Sequence, residues 1–258
     1  LDGAYFKVYG GFQAIGKQGR EIKIIGKNNL GSLFFNTKDE IVFSNVIFEN
    51  LTNLQSKYIQ PSSLTFYECT SVLIDNSEFK SNLSGDDYVN FFRSKNISIK
   101  NSLFKNTLND AIDSDFSNLE IINSKFINIG NDAIDGSGSE IKTTNNLFDT
   151  VLDKAISAGE RSIIISNNNT FNSCEIALVS KDESKLSSFN NLFYDNSVDI
   201  AVFIKKRYYG FPELTIENSN YNKYLIEEGS RIIGIDSIEY TSNVESKLYG
   251  NMYGRASN

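Results

Sequence analysis

The chain has 258 residues, 40% of them hydrophobic, with two prolines and no run of roughly 18 apolar residues, which excludes collagen-like and membrane-spanning readings. A formal net charge of -7 argues against nucleic-acid partners, because affinity for a phosphate backbone rests on clustered Lys and Arg. Histidine is absent, so Ser-His-Asp, Cys-His and His-metal chemistry are excluded, and any catalysis falls to carboxylates, Lys, Arg or Tyr.

Residues 1–40, with Gly10-Gly11, Gly16, Gly19 and Gly26, read as an N-terminal cap or irregular first coil. The opening Leu1-Asp2-Gly3 carries neither a charged nor an apolar leader pattern, as expected of a cytoplasmic chain or a trimmed mature domain. Residues 41–221 repeat. Aromatic residues recur at Phe48, Phe79, Phe104, Phe126, Phe148, Phe171, Phe193 and Tyr221, and the steps from Phe79 to Phe193 are 25, 22, 22, 23 and 22 residues. Three positions before each stands an asparagine: Asn45, Asn76, Asn101, Asn123, Asn145, Asn168, Asn190 and Asn218. A second column of small apolar pairs runs through Ala111-Ile112, Ala133-Ile134, Ala155-Ile156, Ala177-Leu178 and Ala201-Val202.

Such a repeat of about 22 residues is too short for a strand-helix-strand crossover. The dominance of Asn, Ser, Ile, Val and Phe disfavours helical repeats. The prediction is an all-β fold: a single-stranded right-handed parallel β-helix of roughly 8 to 10 coils, with the phenylalanines stacked inside and the asparagines bonded along a turn ladder. Cys69 and Cys174 read as buried thiols. Residues 222–258 lose the column and read as a C-terminal cap or tail, and with no linker the chain is expected to be one domain, 1–258.

The N-x-x-F column together with its D-A-I-D blocks resembles the right-handed parallel β-helix repeat superfamily of pectate lyases and polygalacturonases. More narrowly, it looks like β-helix domains of bacterial proteins that also carry a spore coat protein H-type domain, which implies a further domain in the full-length protein. The residues carrying the likeness are Gly85-Asp86-Asp87-Tyr88-Val89-Asn90-Phe91-Phe92-Arg93-Ser94, Asp110-Ala111-Ile112-Asp113-Ser114-Asp115, Gly130-Asn131-Asp132-Ala133-Ile134-Asp135, Ser157-Ala158-Gly159-Glu160 and Lys205-Lys206. The resemblance implies a carbohydrate-active protein of the pectin-lyase-like kind with its site on one outward strand row. Polygalacturonase-like chemistry is disfavoured by the missing histidine.

Strict alternation from an inward Ile112 places Ala111, Asp113 and Asp115 outward, and puts Ser114, Gly136, Ala158 and Ser180 inside. The outward stripe then runs Asn90, Asp113, Asp135 and Ser157. Asp113 and Asp135, about 5 Å apart on adjacent coils, need a compensating cation, a shared proton or a salt bridge to Arg93. Asp113, Asp135, Lys181 and Lys205 are therefore the candidate catalytic residues. Asn90, Arg93, Asp115, Glu160, Arg207 and Tyr209 are candidate substrate contacts, and Asp113 and Asp135 are candidate Ca²⁺ ligands.

The leading expectation is a secreted, surface or periplasmic protein acting on an acidic polysaccharide. Its reaction is β-elimination with a Lys or Arg base, or hydrolysis with Asp113 and Asp135 as acid and base. The competing expectation is a non-catalytic glycan-binding, adhesin or structural solenoid. Two stretches long enough to wall a cleft, 51–63 and 204–213, discriminate: both lying beside Asp113 favours an enzyme. No membrane insertion is expected.

Overall fold

The asparagine column turns the chain because it supplies backbone angles that other residues resist. All eight of these asparagines have φ between 47° and 57°, the left-handed region that Asn tolerates best after Gly. A second left-handed corner falls at Asn50, Ser81, Asn106, Asn128, Thr150, Ser173 and Asp195, and a third at Glu68, Arg93, Phe116, Gly138, Glu160 and Asp182. Three corners per coil leave three strands per coil. The computed structural model describes residues 5–27, 31–53, 62–82 and 84–249, which form a parallel β-solenoid of about 9 turns with about 23 residues per turn.

Three sheets of 10, 10 and 8 strands run the length of the solenoid. Residues expected to be an irregular first coil are already paired: Tyr5–Val8, Phe12–Ile15 and Ile22–Ile25 join the first, second and third sheets. At the other end Tyr224–Ile226 and Arg231–Ile233 extend the first and second sheets beyond the aromatic column. A single helix follows among the described residues, α1 (Val244–Tyr249). It is far too short to cross a membrane.

Phe48, Phe79, Phe104, Phe126, Phe148, Phe171 and Phe193 form one continuous internal stack. Neighbouring ring centroids lie 4.3–5.2 Å apart and ring planes differ by 1–12°. That spacing is the strand separation itself, so each ring packs on its counterpart without strain. Phe35, Phe66 and Phe91 stack likewise under the first sheet and give way to the small buried residues Ser114, Gly136, Ala158 and Ser180.

The corners would bury unpaired backbone N–H groups, and two ladders satisfy them. At one corner the N–H groups of Ser94, Ser117, Ser139 and Ser162 donate to the hydroxyls of Ser117, Ser139, Ser162 and Ser184 on the next coil at 2.8–3.1 Å. At another, Ser102, Ser124, Asn146 and Asn169 donate to Ser124, Asn146, Asn169 and Asn191 at 2.8–3.1 Å. The predicted asparagine ladder exists in part, as between Asn76 and Asn45 at 2.5 Å. The more regular ladder belongs to the residue after it, which faces the interior.

Strict alternation fails at the start of the D-A-I-D blocks. Ala111, Ala133, Ala155 and Ala177 lie in the core beside Ile112, Ile134, Ile156 and Leu178, not outward. The physical reason is visible in the pairing: successive N–H groups of Ala111 and Ile112 both donate to the following coil, to Asp132 O at 2.9 Å and Ala133 O at 3.1 Å. Two consecutive side chains therefore turn inward, a bulge-like interruption of the pleat. The first Asp of each block, three residues before the second, comes out on the same side as the second.

Candidate functional site

One outward row of the first sheet pairs Thr65, Asn90, Asp113, Asp135, Ser157, Val179 and Ala201 in succession. A second row carries Tyr67, Phe92, Asp115 and Ser137. Asn90 is fully buried, and its amide donates to Asp113 Oδ2 at 2.7 Å and to Asp115 Oδ2 at 3.3 Å.

The bulge adds residues that the sequence reading did not single out as a site. Asp110, Asp132 and Asp135 bring one carboxylate oxygen each within 4.8 Å of one another. Asp132 is held by Lys154, whose ammonium donates to its two oxygens at 2.9 and 3.3 Å and to Asp153 Oδ2 at 2.6 Å, all three side chains being 4% exposed. Asp110 accepts from Asn131 Nδ2 at 2.6 Å and from the Asp132 N–H at 2.9 Å. Lys181 donates to Ser157 Oγ at 2.8 Å and stands 3.7 Å from Asp135 Oδ1. The signal for this cluster was in the sequence, as Asp110 and Asp132 open the two D-A-I-D blocks one coil apart. Only the assumption of unbroken alternation hid it.

These surroundings drive the carboxyls apart. Burial, then the charges of Asp115 and Asp135, push Asp113 well above the ordinary carboxylate range. Burial and Asp132 do the same to Asp110, and burial with Asp113 does so to Asp87. Asp132 is raised to about 7, burial outweighing the relief from Lys154. Asp135 goes the other way. Burial would raise it, but Lys181, Lys154, a hydrogen bond from Ser157 and Lys205 together hold it below the ordinary value. Its side chain keeps 26% of its exposure, enough to meet a ligand.

The stretch 204–213 stands on the corner beside this face. The N–H groups of Lys205 and Lys206 donate to the buried Asp182 Oδ1 at 2.8 and 2.7 Å. The Lys206 ammonium pairs with Glu160. Arg161 lies 5.4 Å from the centre of the Tyr209 ring and donates to Glu183 at 2.9 Å. Lys205 is lowered from the usual lysine range, chiefly by burial and then by Lys181 and Lys154, against the opposing pull of Asp135 and Asp132. Of the second expected wall, residues 54–61 lie outside the described residues.

The expected substrate contacts divide accordingly. Glu160 and Tyr209 fasten this stretch to the corner row, and Arg207 is exposed on it. Arg93 does not neutralise the aspartates: among the described residues it forms no ion pair, and its guanidinium lies over Phe92 at 5.1 Å, because its left-handed backbone turns it off the strand row. Of the two expected metal ligands, Asp135 belongs to the carboxylate trio and Asp113 does not. The trio is tight enough to share one cation. Calcium, however, takes about six to eight oxygens, and Lys154 already brings an ammonium to Asp132 and Lys181 to Asp135. The donor set suits an internal counter-charge better than a resident Ca²⁺.

Beyond Ser157 the face becomes apolar and covered. Val244 and Leu248 of α1 form one cluster with Val179, Ala201 and Phe203, and Val179, Ala201, Phe203 and Val244 are each 0% exposed. A separate concavity of about 650 Å³ on the second sheet, lined by Ile97, Leu119, Ile141 and Ile163 among others, brings together no comparable set of carboxylates.

No family model matches this chain, and no curated protein matches it. Solved structures of similar course include PfbA, a surface adhesin of Streptococcus pneumoniae, at 13% identity and a TM-score of 0.48 over 93% of this chain and 88% of that one. A tailspike protein of E. coli bacteriophage HK620, in complex with a pentasaccharide, is similar at 15% identity and a TM-score of 0.38 over 91% of this chain and 46% of that one. The Agl-KA catalytic domain is similar at 13% identity and a TM-score of 0.24 over 90% and 62%. At these values the likeness carries no argument about activity.

Proposed function

We propose that this is a carbohydrate-active β-helix protein that hydrolyses an acidic polysaccharide on the outward face of its first sheet, with Asp113 as general acid and Asp135 as nucleophile or base. The observation that carries the reading is the opposite displacement of two carboxyls paired on adjacent coils, one raised and one lowered. Environments that push a pair of carboxyl pKa values apart assign the acid and the base.

Asp113, whose protonated form burial and the charges of Asp115 and Asp135 favour, delivers its proton to the glycosidic oxygen as the bond to the anomeric carbon breaks. Asn90 fixes its other oxygen. Asp135, ionised and steadied by Lys181, attacks the anomeric carbon. Water then cleaves the glycosyl ester, giving its proton to Asp113. Strand pairing sets the backbones of the two residues about 4.8 Å apart, and the stereochemistry of the product reports the separation of their carboxyl groups, retention for roughly 5–5.5 Å and inversion for 6.5–9.5 Å. Asp110 and Asp132 are too buried to reach a sugar and act on Asp135 through charge.

A second reading is favoured by Lys205. Its lowered pKa suits the neutral amine that a β-elimination base requires, and a uronate polymer is its substrate. Either reaction fits a secreted or surface-exposed bacterial protein of the pectin-lyase-like kind joined to a further domain. Incubation with a panel of uronate-containing and other acidic polysaccharides, following reducing ends and ultraviolet-absorbing unsaturated ends separately, distinguishes the two. Hydrolysis yields the first signal alone, elimination yields both, and silence with retained binding leaves a glycan-binding or adhesive solenoid.

A further inference from the structure

The corner that follows the first sheet stacks Glu68, Arg93, Phe116, Gly138 and Glu160 on successive coils, all with φ between 48° and 61°. The N–H groups of Arg93, Phe116 and Gly138 donate to the carbonyls of Asp115, Ser137 and Gly159 on the next coil at 2.8, 2.9 and 3.3 Å. Such a backbone suits Gly138 and is costly for a bulky ring, so nothing in the turn itself asks for phenylalanine. Phe116 is nevertheless 53% exposed, on the same coil as Asp113. Its ring is fixed by neighbours on the coils before and after. Phe92 meets it edge-on, with centroids 6.2 Å apart and planes at 86°, and a Cβ added at Gly138 would stand 2.7 and 2.8 Å from two of its carbons. Tyr67 and Phe92 lie parallel, 5.3 Å apart at 6°, and cover one another's faces. Phe116 is turned crosswise to that pair and gives about half of its surface to solvent. The Arg93 guanidinium lies over the same Phe92 ring at 5.1 Å. A guanidinium seated on a ring keeps at its rim the N–H fork that matches a carboxylate.

We infer that Phe116 is a platform on which a uronate ring of the glycan stacks through its C–H face, with Arg93 on the preceding coil taking that sugar's carboxylate. The inference rests on the proposed glycan site and deepens it by assigning a subsite beside Asp113 and Asp135 and the sugar that fills it. Phe116 follows Asp115, which lies about 7 Å along the strand from Asp113, so a sugar on the platform borders the carboxylate row. A carboxylate directed at that row would meet Asp115 and be repelled, whereas one directed along the corner meets Arg93, and the sugar is held in one orientation. A ring already fixed by Phe92 and Gly138 gives up little freedom on binding.

The test measures binding of uronate oligosaccharides, intact or with their carboxylates reduced to alcohols, to the wild type and to variants of Phe116 and Arg93. Phe116→Leu, which keeps an apolar cover over Phe92 and Gly138 but has no flat face, is expected to weaken binding of the intact form about ten-fold, and Phe116→Tyr to stay within about two-fold of the wild type. Phe116→Gly, suited to φ 51°, replaces Phe116→Leu should that variant fail to fold. The wild type is expected to prefer the intact form about ten-fold or more, the scale of one charge-assisted contact, and Arg93→Gln to erase that preference. Equal binding by Phe116→Leu and the wild type overturns the inference, as does a preference for the intact form that survives in Arg93→Gln. Either result leaves the proposed function standing if the wild type cleaves the glycan and Asp113→Asn does not. No binding and no cleavage by the wild type overturns both.

Discussion

Asp113 and Asp135 sit directly opposite one another on adjacent parallel strands, yet their carboxyls are displaced in opposite directions. The difference comes from what lies to either side. Asp113 faces Asp115 and Asp110, while Asp135 faces Lys181, Lys154 and Lys205. A pH-rate profile of hydrolysis should therefore be bell-shaped, its acid limb set by ionisation of Asp135 and its basic limb by loss of the Asp113 proton. Lys181→Met should move the acid limb upward and leave the basic limb nearly in place. A profile with one limb only contradicts the assignment.

Stability should fall as pH rises. Asp87, Asp110, Asp113 and Asp132 all have folded-state pKa values above their unfolded ones, so the folded chain binds more protons than the unfolded chain between the two. Their stabilisation is fully present below the unfolded value near 4 and is lost as pH climbs, for Asp132 through about 7. Asp135, Glu78 and the exposed Glu21 and Glu183 oppose this, each losing its contribution as pH falls through its lowered value. Melting curves at pH 4 and pH 8 should give the higher Tm at pH 4.

Lys154 is the counter-charge for two buried carboxylates. Lys154→Met should destabilise by about 3–5 kcal/mol, as removal of one partner of a buried pair does. The loss should shrink at pH 4, where Asp132 is protonated. Chemical denaturation of both proteins at the two pH values measures it, and an equal loss at both would mean that Lys154 matters only for packing.

EDTA should leave Tm and activity unchanged, and added Ca²⁺ should not raise Tm, because a ligand bound only by the folded state stabilises in proportion to the logarithm of its concentration over Kd. A calcium-dependent rise in Tm that Asp135→Asn abolishes would reverse the reading of Lys154 and Lys181 as resident counter-charges.

Phe126→Ala opens a gap in the middle of the internal stack and should cost about 3–5 kcal/mol. Asn123→Ala, at φ 51° on the exposed corner and bonded through its amide to Asn101 Oδ1 at 3.5 Å, should cost about 1–2 kcal/mol, chiefly through backbone strain. Asn123→Gly should cost much less, which separates the corner's backbone requirement from its side-chain bond to Asn101.

The coil, its length and its internal aromatic stack were legible in the sequence because each coil repeats the same environment at the same position, so Phe48 to Phe193 and their asparagines line up in a column. The outward row Asn90, Asp113, Asp135 and Ser157 was legible for the same reason. The contribution of Asp110, Asp132 and Lys154 was not, because period-two alternation holds only where the pleat is unbroken, and the paired donors Ala111 and Ile112 break it. Nor could the sequence show that α1 returns to the first sheet: Val244 meets Phe203 across a long loop that no repeat encodes.

The most direct test of the central claim is a carboxyl-carbon NMR titration of the two aspartates, assigned with Asp113→Asn and Asp135→Asn. The account predicts that Asp135 titrates below the ordinary range near 3.9 and Asp113 well above it. Two aspartates titrating together near that value, or in the reverse order, would contradict it.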